Sequence, residues 1–412
     1  MRSCPASGLM KKIVRVERKT VLGLAALLAL AAWSGSNQKI PAILVPINPE
    51  QNAIANPDVL GLVFDKLADL AKSKQGQVAI LHIGDSHVEA GYFPGIVRAG
   101  LQQRFGDAGR GLIKPTIVGV YPKKWFRSVE VRQDVKALRL WAGIKEAEPG
   151  RGFNALAVYH EKGNEYLNFE VLDEAGQVIG KVQSTRPLDW PGAQGVQVSI
   201  VELPGVYRSV ILRTAKDPKM NTQRFAQLYG VSLETGESGV VYHSYGLIGA
   251  NCDSLSRSPF FQKQLERIQP DLVIVSLGTN DASTPYFKKE DYTARLDALI
   301  QKIRDACPHA AILLTTAPDS YYPRQRRRTA NPNPNMGTER EALLELAFKR
   351  HCAVWDLFAI MGGAGSITTW RDSALANLDN IHFTKDGYEQ LGRLLLEALT
   401  KGYDSHAAAR SR

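Results

Sequence analysis

Apolar positions along the chain follow two different periods. After Asn56-Pro57-Asp58, the residues Leu60, Val63, Phe64, Leu67, Leu70 and Ala71 recur at helical spacing, with Pro57 suited to the first helical position. Residues 78–83 (VAILHI) form an unbroken apolar run ending at Gly84 and predict a buried strand; 94–105 predicts a helix stopped by Gly106. From about 115 to 238 the period becomes two. Leu167, Phe169 and Val171 alternate with Asn168 and Glu170, and Val196, Val198 and Ile200 with Gln197 and Ser199. Turn signals at Asp173-Glu174-Ala175-Gly176 and Pro191-Gly192 separate these runs, as in a β-sandwich or jelly roll. After 240, predicted strands at 240–245, 271–277, 311–316 and 353–357 alternate with predicted helices at 260–268, 290–306, 338–351 and 384–400. Apolar strands alternating with helices imply a parallel sheet covered on both faces. The expected fold is therefore an α/β domain interrupted by an all-β insert. Its expected parts are a leader at 1–34, a linker at 35–56, α/β segments at 57–114 and 239–402 around the insert at 115–238, and a tail at 403–412.

Composition fits two globular domains: 412 residues, 44% hydrophobic and 22% charged. Half of the net charge of +10 sits in the first 34 residues, where six cations face only Glu17. That basic stretch runs into 21–33 (VLGLAALLALAAW) and then Ser34-Gly35-Ser36, the layout of an export signal. The expected location is the periplasm, with an uncleaved inner-membrane anchor as the alternative and the only membrane contact. The charge left over is mild for this length, so no nucleic-acid partner is expected. Four cysteines without a Cys-x-x-Cys pair argue against structural zinc. With no phosphate loop, dinucleotide fingerprint or metal-ligand cluster, no cofactor is expected, and a monomer is the default assembly.

Four short motifs carry chemistry. Gly84-Asp85-Ser86-His87 follows the first strand, where a serine hydroxyl stands at the sheet edge beside a helix start. Gly246-Leu247-Ile248-Gly249-Ala250-Asn251 follows the strand at 240–245 and supplies backbone able to approach a ligand. Gly278-Thr279-Asn280-Asp281 follows 271–277, and the Asn280 amide there can donate to an oxyanion. Asp379-Asn380-Ile381-His382 precedes the last helix, with a carboxylate spaced to hold an imidazole. Taken singly, each also fits an ordinary turn or cap.

In this order the motifs resemble the SGNH (GDSL-type) hydrolase superfamily, over about 76–113 and 240–400. The resemblance implies a flavodoxin-like three-layer α/β/α sandwich. It also implies Ser86 as nucleophile, His382 as general base and Asp379 as its orienting partner. The oxyanion hole would be formed by Gly249, Asn280 and the Ser86 amide, with Gly246 the rival glycine. GDSH, followed by Val88-Glu89-Ala90-Gly91 and by 101–109 (LQQRFGDAG), is similar to the periplasmic peptidoglycan O-acetylesterases. Those place a carbohydrate-binding-like β-sandwich between the first two motifs, where the period-two stretch falls here. The third motif departs from them, reading GTND rather than GTNE, but Asn280 is kept.

The resemblance implies an enzyme, a serine esterase acting on an O-acetylated envelope polysaccharide. An O-acetyltransferase with the same triad and a non-catalytic glycan-binding protein remain the alternatives. Elsewhere, His82 reads as structural, His87 as a helix-start residue and Cys252 as inert. The arginines Arg324, Arg326, Arg327 and Arg328 read as a solvated loop, and Trp125, Trp141 and Trp190 as core or sugar-stacking residues.

Overall fold

The computed structural model describes residues 47–113, 141–145, 151–161, 169–182, 196–214, 228–322 and 331–410. The leader, most of the linker, Trp125, Trp190 and the four loop arginines lie outside the described residues. The first α/β segment comprises β1 (Ile54–Ala55), α1 (Gly61–Ser73), β2 (Gln77–Gly84), α2 (Ser86–Glu89) and α3 (Tyr92–Phe105). Eight strands follow: β3 (Gly111–Ile113), β4 (Trp141–Lys145), β5 (Phe153–Glu161), β6 (Phe169–Leu172), β7 (Val178–Val182), β8 (Val196–Tyr207), β9 (Ser209–Thr214) and β10 (Leu228–Glu234). The chain then returns through β11 (Gly239–Gly246), α4 (Cys252–Ser256), α5 (Pro259–Ile268), β12 (Leu272–Ser276), α6 (Thr279–Ala282) and α7 (Lys289–Ala306). It ends with β13 (Ala311–Thr315), α8 (Asn335–Lys349), β14 (Ala353–Trp355), α9 (Leu357–Met361), α10 (Ser366–Asp372) and α11 (Lys385–Arg410).

The central sheet runs β1-β14-β13-β12-β2-β11. Its last five strands are parallel. β12, β13 and β14 are buried along their whole length, as expected of strands with both faces covered. Alternate side chains of β2 serve the two faces. Val78 and Ile80 join the cluster that includes Phe64 of α1, Val97 of α3 and Leu395 of α11. Leu81 and Ile83 join Leu265 of α5, Leu299 of α7 and Leu343 of α8. Counted along the chain, the parallel strands stand in the order 2-1-3-4-5, the flavodoxin-like order. Its reversal falls between β2 and β12, which pair directly, and a ligand crevice is expected beyond their carboxyl ends.

The sheet is mixed rather than purely parallel, because β1 pairs antiparallel with β14. Two residues within a polar span leave no alternation to read, so the sequence offered no sign of it. The terminal helix runs on to Arg410 instead of ending near Thr400. Tyr403 extends its apolar stripe, packing edge-on against Phe64 and Phe105.

The intervening strands form two antiparallel four-stranded sheets, β3-β10-β5-β8 and β4-β9-β6-β7. One apolar cluster unites them, with Leu156, Val158, Val201 and Val231 from the first and Phe169, Val171, Val210 and Leu212 from the second. The other face of the first sheet meets the α/β domain, where the Tyr159 and Tyr229 rings lie 5.6 Å from that of Phe260 on α5. Among the described residues no helix is long and apolar enough to cross a membrane.

Candidate active site

Ser86 begins α2 immediately beyond β2. Asp85 is the cap of that helix, its carboxylate accepting the His87 N–H at 2.9 Å. On one side β11 runs parallel to β2 and sets Gly246 beside Gly84. A Cβ on Gly246 would stand 2.1 Å from the Glu89 backbone nitrogen, so only glycine lets this strand end lie against α2. The rival glycine is thus spent on packing. Gly249 sits in the turn that follows, at φ +75, exposed and with open space where a side chain would point.

The structure brings Ser86, His382 and Asp379 together, although Ser86 and His382 lie 296 positions apart in the chain. Ser86 Oγ is 3.0 Å from His382 Nε2, and His382 Nδ1 is 2.8 Å from Asp379 Oδ2. The carboxylate keeps the imidazole proton on Nδ1, which leaves Nε2 to accept the Ser86 hydroxyl. Burial alone would raise the Asp379 carboxyl. Hydrogen bonds from the His382 ring and from the His382 and Ile381 amides outweigh it and hold the group down at about 2. Asn380, left-handed at φ 55, shapes the tight turn between them, and its carbonyl accepts the Tyr321 N–H at 2.9 Å.

Asn280 extends from α6, beyond β12 and across the strand reversal. Its Nδ2 donates to the Ala250 carbonyl at 2.9 Å and to Asp85 Oδ2 at 3.3 Å. One amide therefore joins the residue after Gly249 to the residue before Ser86. The structure thus gathers the residues of all four motifs at the carboxyl edge of the sheet.

Behind this edge lie side chains whose charge states are set by burial. Desolvation raises Asp85 to about 7, Asp281 to about 6 and Glu339 to about 8. His87 is driven down to about 3 by burial and then by the neighbouring His382; it is a neutral ring whose Nδ1 meets the Tyr388 hydroxyl at 3.1 Å. His82, likewise buried and neutral, links Tyr242 to Ser276 across three strands, each at 2.8 Å. The Cys252 thiol is fully buried and pushed well above its ordinary value, first by burial and then by Asp281. It is no rival nucleophile. Among the described residues no group of three or more His, Cys, Asp or Glu side chains could hold a metal ion.

The buried acids make stability depend on pH. A carboxyl raised in the folded state binds more protons there than in the unfolded chain. Its contribution is therefore complete below about pH 4 and declines as pH rises through the folded value. Above about pH 6.5, where the buried neutral His82 and His87 no longer act in the opposite sense, resistance to urea should fall up to about pH 8, and Glu339→Gln should narrow that fall. An equally wide fall in the variant would remove Glu339 as a cause.

Of the residues that shape the site, Asp85 and Glu339 were not assigned from sequence. Asp85 lay inside a recognised motif, yet its bond to Asn280 is a contact across two strands. Glu339 is one glutamate among several on an amphipathic helix and carries no local signal.

A hydroxyl, imidazole and carboxylate in series at the strand reversal of a flavodoxin-like sheet define a serine-hydrolase type of α/β protein. A model of the GDSL-like lipase/acylhydrolase family matches residues 199–390, and the chain is an acylhydrolase. That match spans Gly249, Asn280, Asp379 and His382; Ser86 lies upstream of it, on the far side of most of the antiparallel strands. Among solved structures, a peptidoglycan O-acetylesterase aligns over 83% of this chain and 96% of its own, at 20% identity and a TM-score of 0.66. This likeness shows a shared fold. A mutant acetylxylan esterase from Geobacillus stearothermophilus aligns over 40% of this chain and 74% of its own, at 19% identity and a TM-score of 0.29. A salicylyl-acyltransferase from a tetracycline biosynthetic pathway covers 64% and 82%, at 16% and a TM-score of 0.29. The latter two share too little architecture to inform the reading. No curated protein matches the chain.

Proposed function

We propose that the protein is an exported serine esterase that removes O-acetyl groups from a cell-envelope polysaccharide, peptidoglycan above others. The observation that carries the reading is the series of contacts from Ser86 through His382 to Asp379. Ser86 Oγ attacks the ester carbonyl carbon while its proton passes to His382 Nε2. Negative charge collects on the former carbonyl oxygen, within reach of the Asn280 amide and the Ser86 and Gly249 N–H groups. As the intermediate collapses, the C–O bond to the sugar breaks, and the sugar oxygen takes the proton from His382. Water, deprotonated by the same imidazole, then releases acetate from the acetyl-enzyme.

Support for the substrate class comes from the extent of the likeness to the peptidoglycan O-acetylesterase, which takes in 83% of this chain, more than its two α/β segments alone. The paired antiparallel sheets are read as a carbohydrate-binding-like sandwich inserted between the first two motifs. The basic-then-apolar leader supports export to the periplasm. Purified protein should release acetate faster from O-acetylated peptidoglycan than from acetylated xylan or alginate. Equal or faster release from xylan would overturn the peptidoglycan assignment while leaving the esterase reading in place.

A further inference from the structure

Glu339 is wholly buried in the first half of α8, although nothing in the mechanism above uses it. It stands beneath the loop that carries Asn280. A Cβ on Gly278 would lie 2.3 Å from Glu339 Oε1 and 3.1 Å from the Ala317 Cβ. The Gly278 backbone, at φ +125, is therefore wedged between α8 and the end of β13. That same Glu339 oxygen is held in place, Oε1 accepting the Tyr292 hydroxyl of α7 at 2.5 Å. Its helix is fixed one residue on, where Arg340 makes a two-pronged pair with Asp356, the cap of α9. A carboxyl with two rigid supports thus presses on the first residue of Gly278-Thr279-Asn280-Asp281.

We propose that Glu339 is a positioning residue for Asn280: by bracing Gly278 it fixes where the Asn280 amide points. The inference rests on the reading of Asn280 as an oxyanion donor. Asn280 has only two N–H bonds to distribute, and they already meet Ala250 and Asp85, beyond the ends of β11 and β2 and across the crevice from it. A shift of a few tenths of an ångström in the loop would misdirect the pair, and donor placement governs transition-state stabilisation more than ground-state binding. Bracing needs the shape of the side chain and an acceptor for Tyr292. Glutamine supplies both without the charge.

The test is a double-mutant cycle on the full chain with 4-nitrophenyl acetate as substrate, with thermal melts to confirm folding. Glu339→Ala should lower kcat about tenfold with KM within about twofold, and Glu339→Gln should stay within about threefold of the parent. In the Asn280→Ala background, Glu339→Ala should change kcat by less than about twofold, because the group it positions is gone. If Glu339→Ala does not fold, Glu339→Asp, whose carboxyl is one methylene shorter, takes its place with the same expectations. An undiminished loss in the Asn280→Ala background would show Glu339 acting on the site by another route and overturn the proposal, as would parental kcat in the single variant. An inactive parent, or an Asn280→Ala variant as fast as the parent, would remove the oxyanion reading and the inference with it.

Discussion

Ser86→Ala should lower kcat for ester hydrolysis at least about a thousandfold while leaving the melting temperature essentially unchanged. The two halves have separate grounds. The Ser86 hydroxyl meets the His382 ring at 3.0 Å and is placed to do chemistry rather than to close the helix, because the cap is Asp85. Alanine is well tolerated as the first residue of a helix. The variant keeps the amide of residue 86, Asn280 and Gly249, so some rate above that of water should persist. Initial rates on a small acetate ester, alongside melting curves, check both halves. Near-parental turnover would refute the nucleophile. Loss of activity with loss of fold would leave the rate uninterpretable for this variant, and Ser86→Gly would then serve as the comparison.

The legibility of this fold followed its physics. Strands buried on both faces have to be continuous apolar runs, so 78–83 and 271–277 stood out, and the order of strands and helices implied a parallel sheet. Contacts between distant segments had no such local mark. β1 is two residues long, and the extension of α11 depends on the distant rings of Phe64 and Phe105. Ser86, Asp379 and His382, which the structure brings into contact, were legible as candidates because each lies in a short motif at a strand end or before a helix. Gly249 is preferred over Gly246 from sequence only as the second glycine of G-x-x-G; what separates them physically is the backbone of Glu89 packed against Gly246 and open space beside Gly249. Asp85 and Glu339 were invisible for the same reason: a residue that acts through its neighbour declares itself only when the neighbour is in place.

Asn280→Ala is expected to cost on the order of 3 kcal/mol in the transition state, roughly a hundredfold in kcat, with KM little changed. The Asn280 amide is three-dimensionally overdetermined in the resting enzyme, with one bond of 2.9 Å to Ala250 and a longer one of 3.3 Å to Asp85. The longer bond is the one an oxyanion can displace, because a developing full negative charge competes well with a stretched contact. Asp85 favours that exchange when it is protonated, since burial lifts it to about 7 and a neutral carboxyl holds the amide less strongly. The ground-state carbonyl oxygen gains little from the same donor, so the loss should fall on kcat and not on binding. Steady-state kinetics across a range of substrate concentrations separate the two. A variant with parental kcat would exclude Asn280 from the oxyanion hole, and a rise in KM at constant kcat would make it a substrate-binding residue instead.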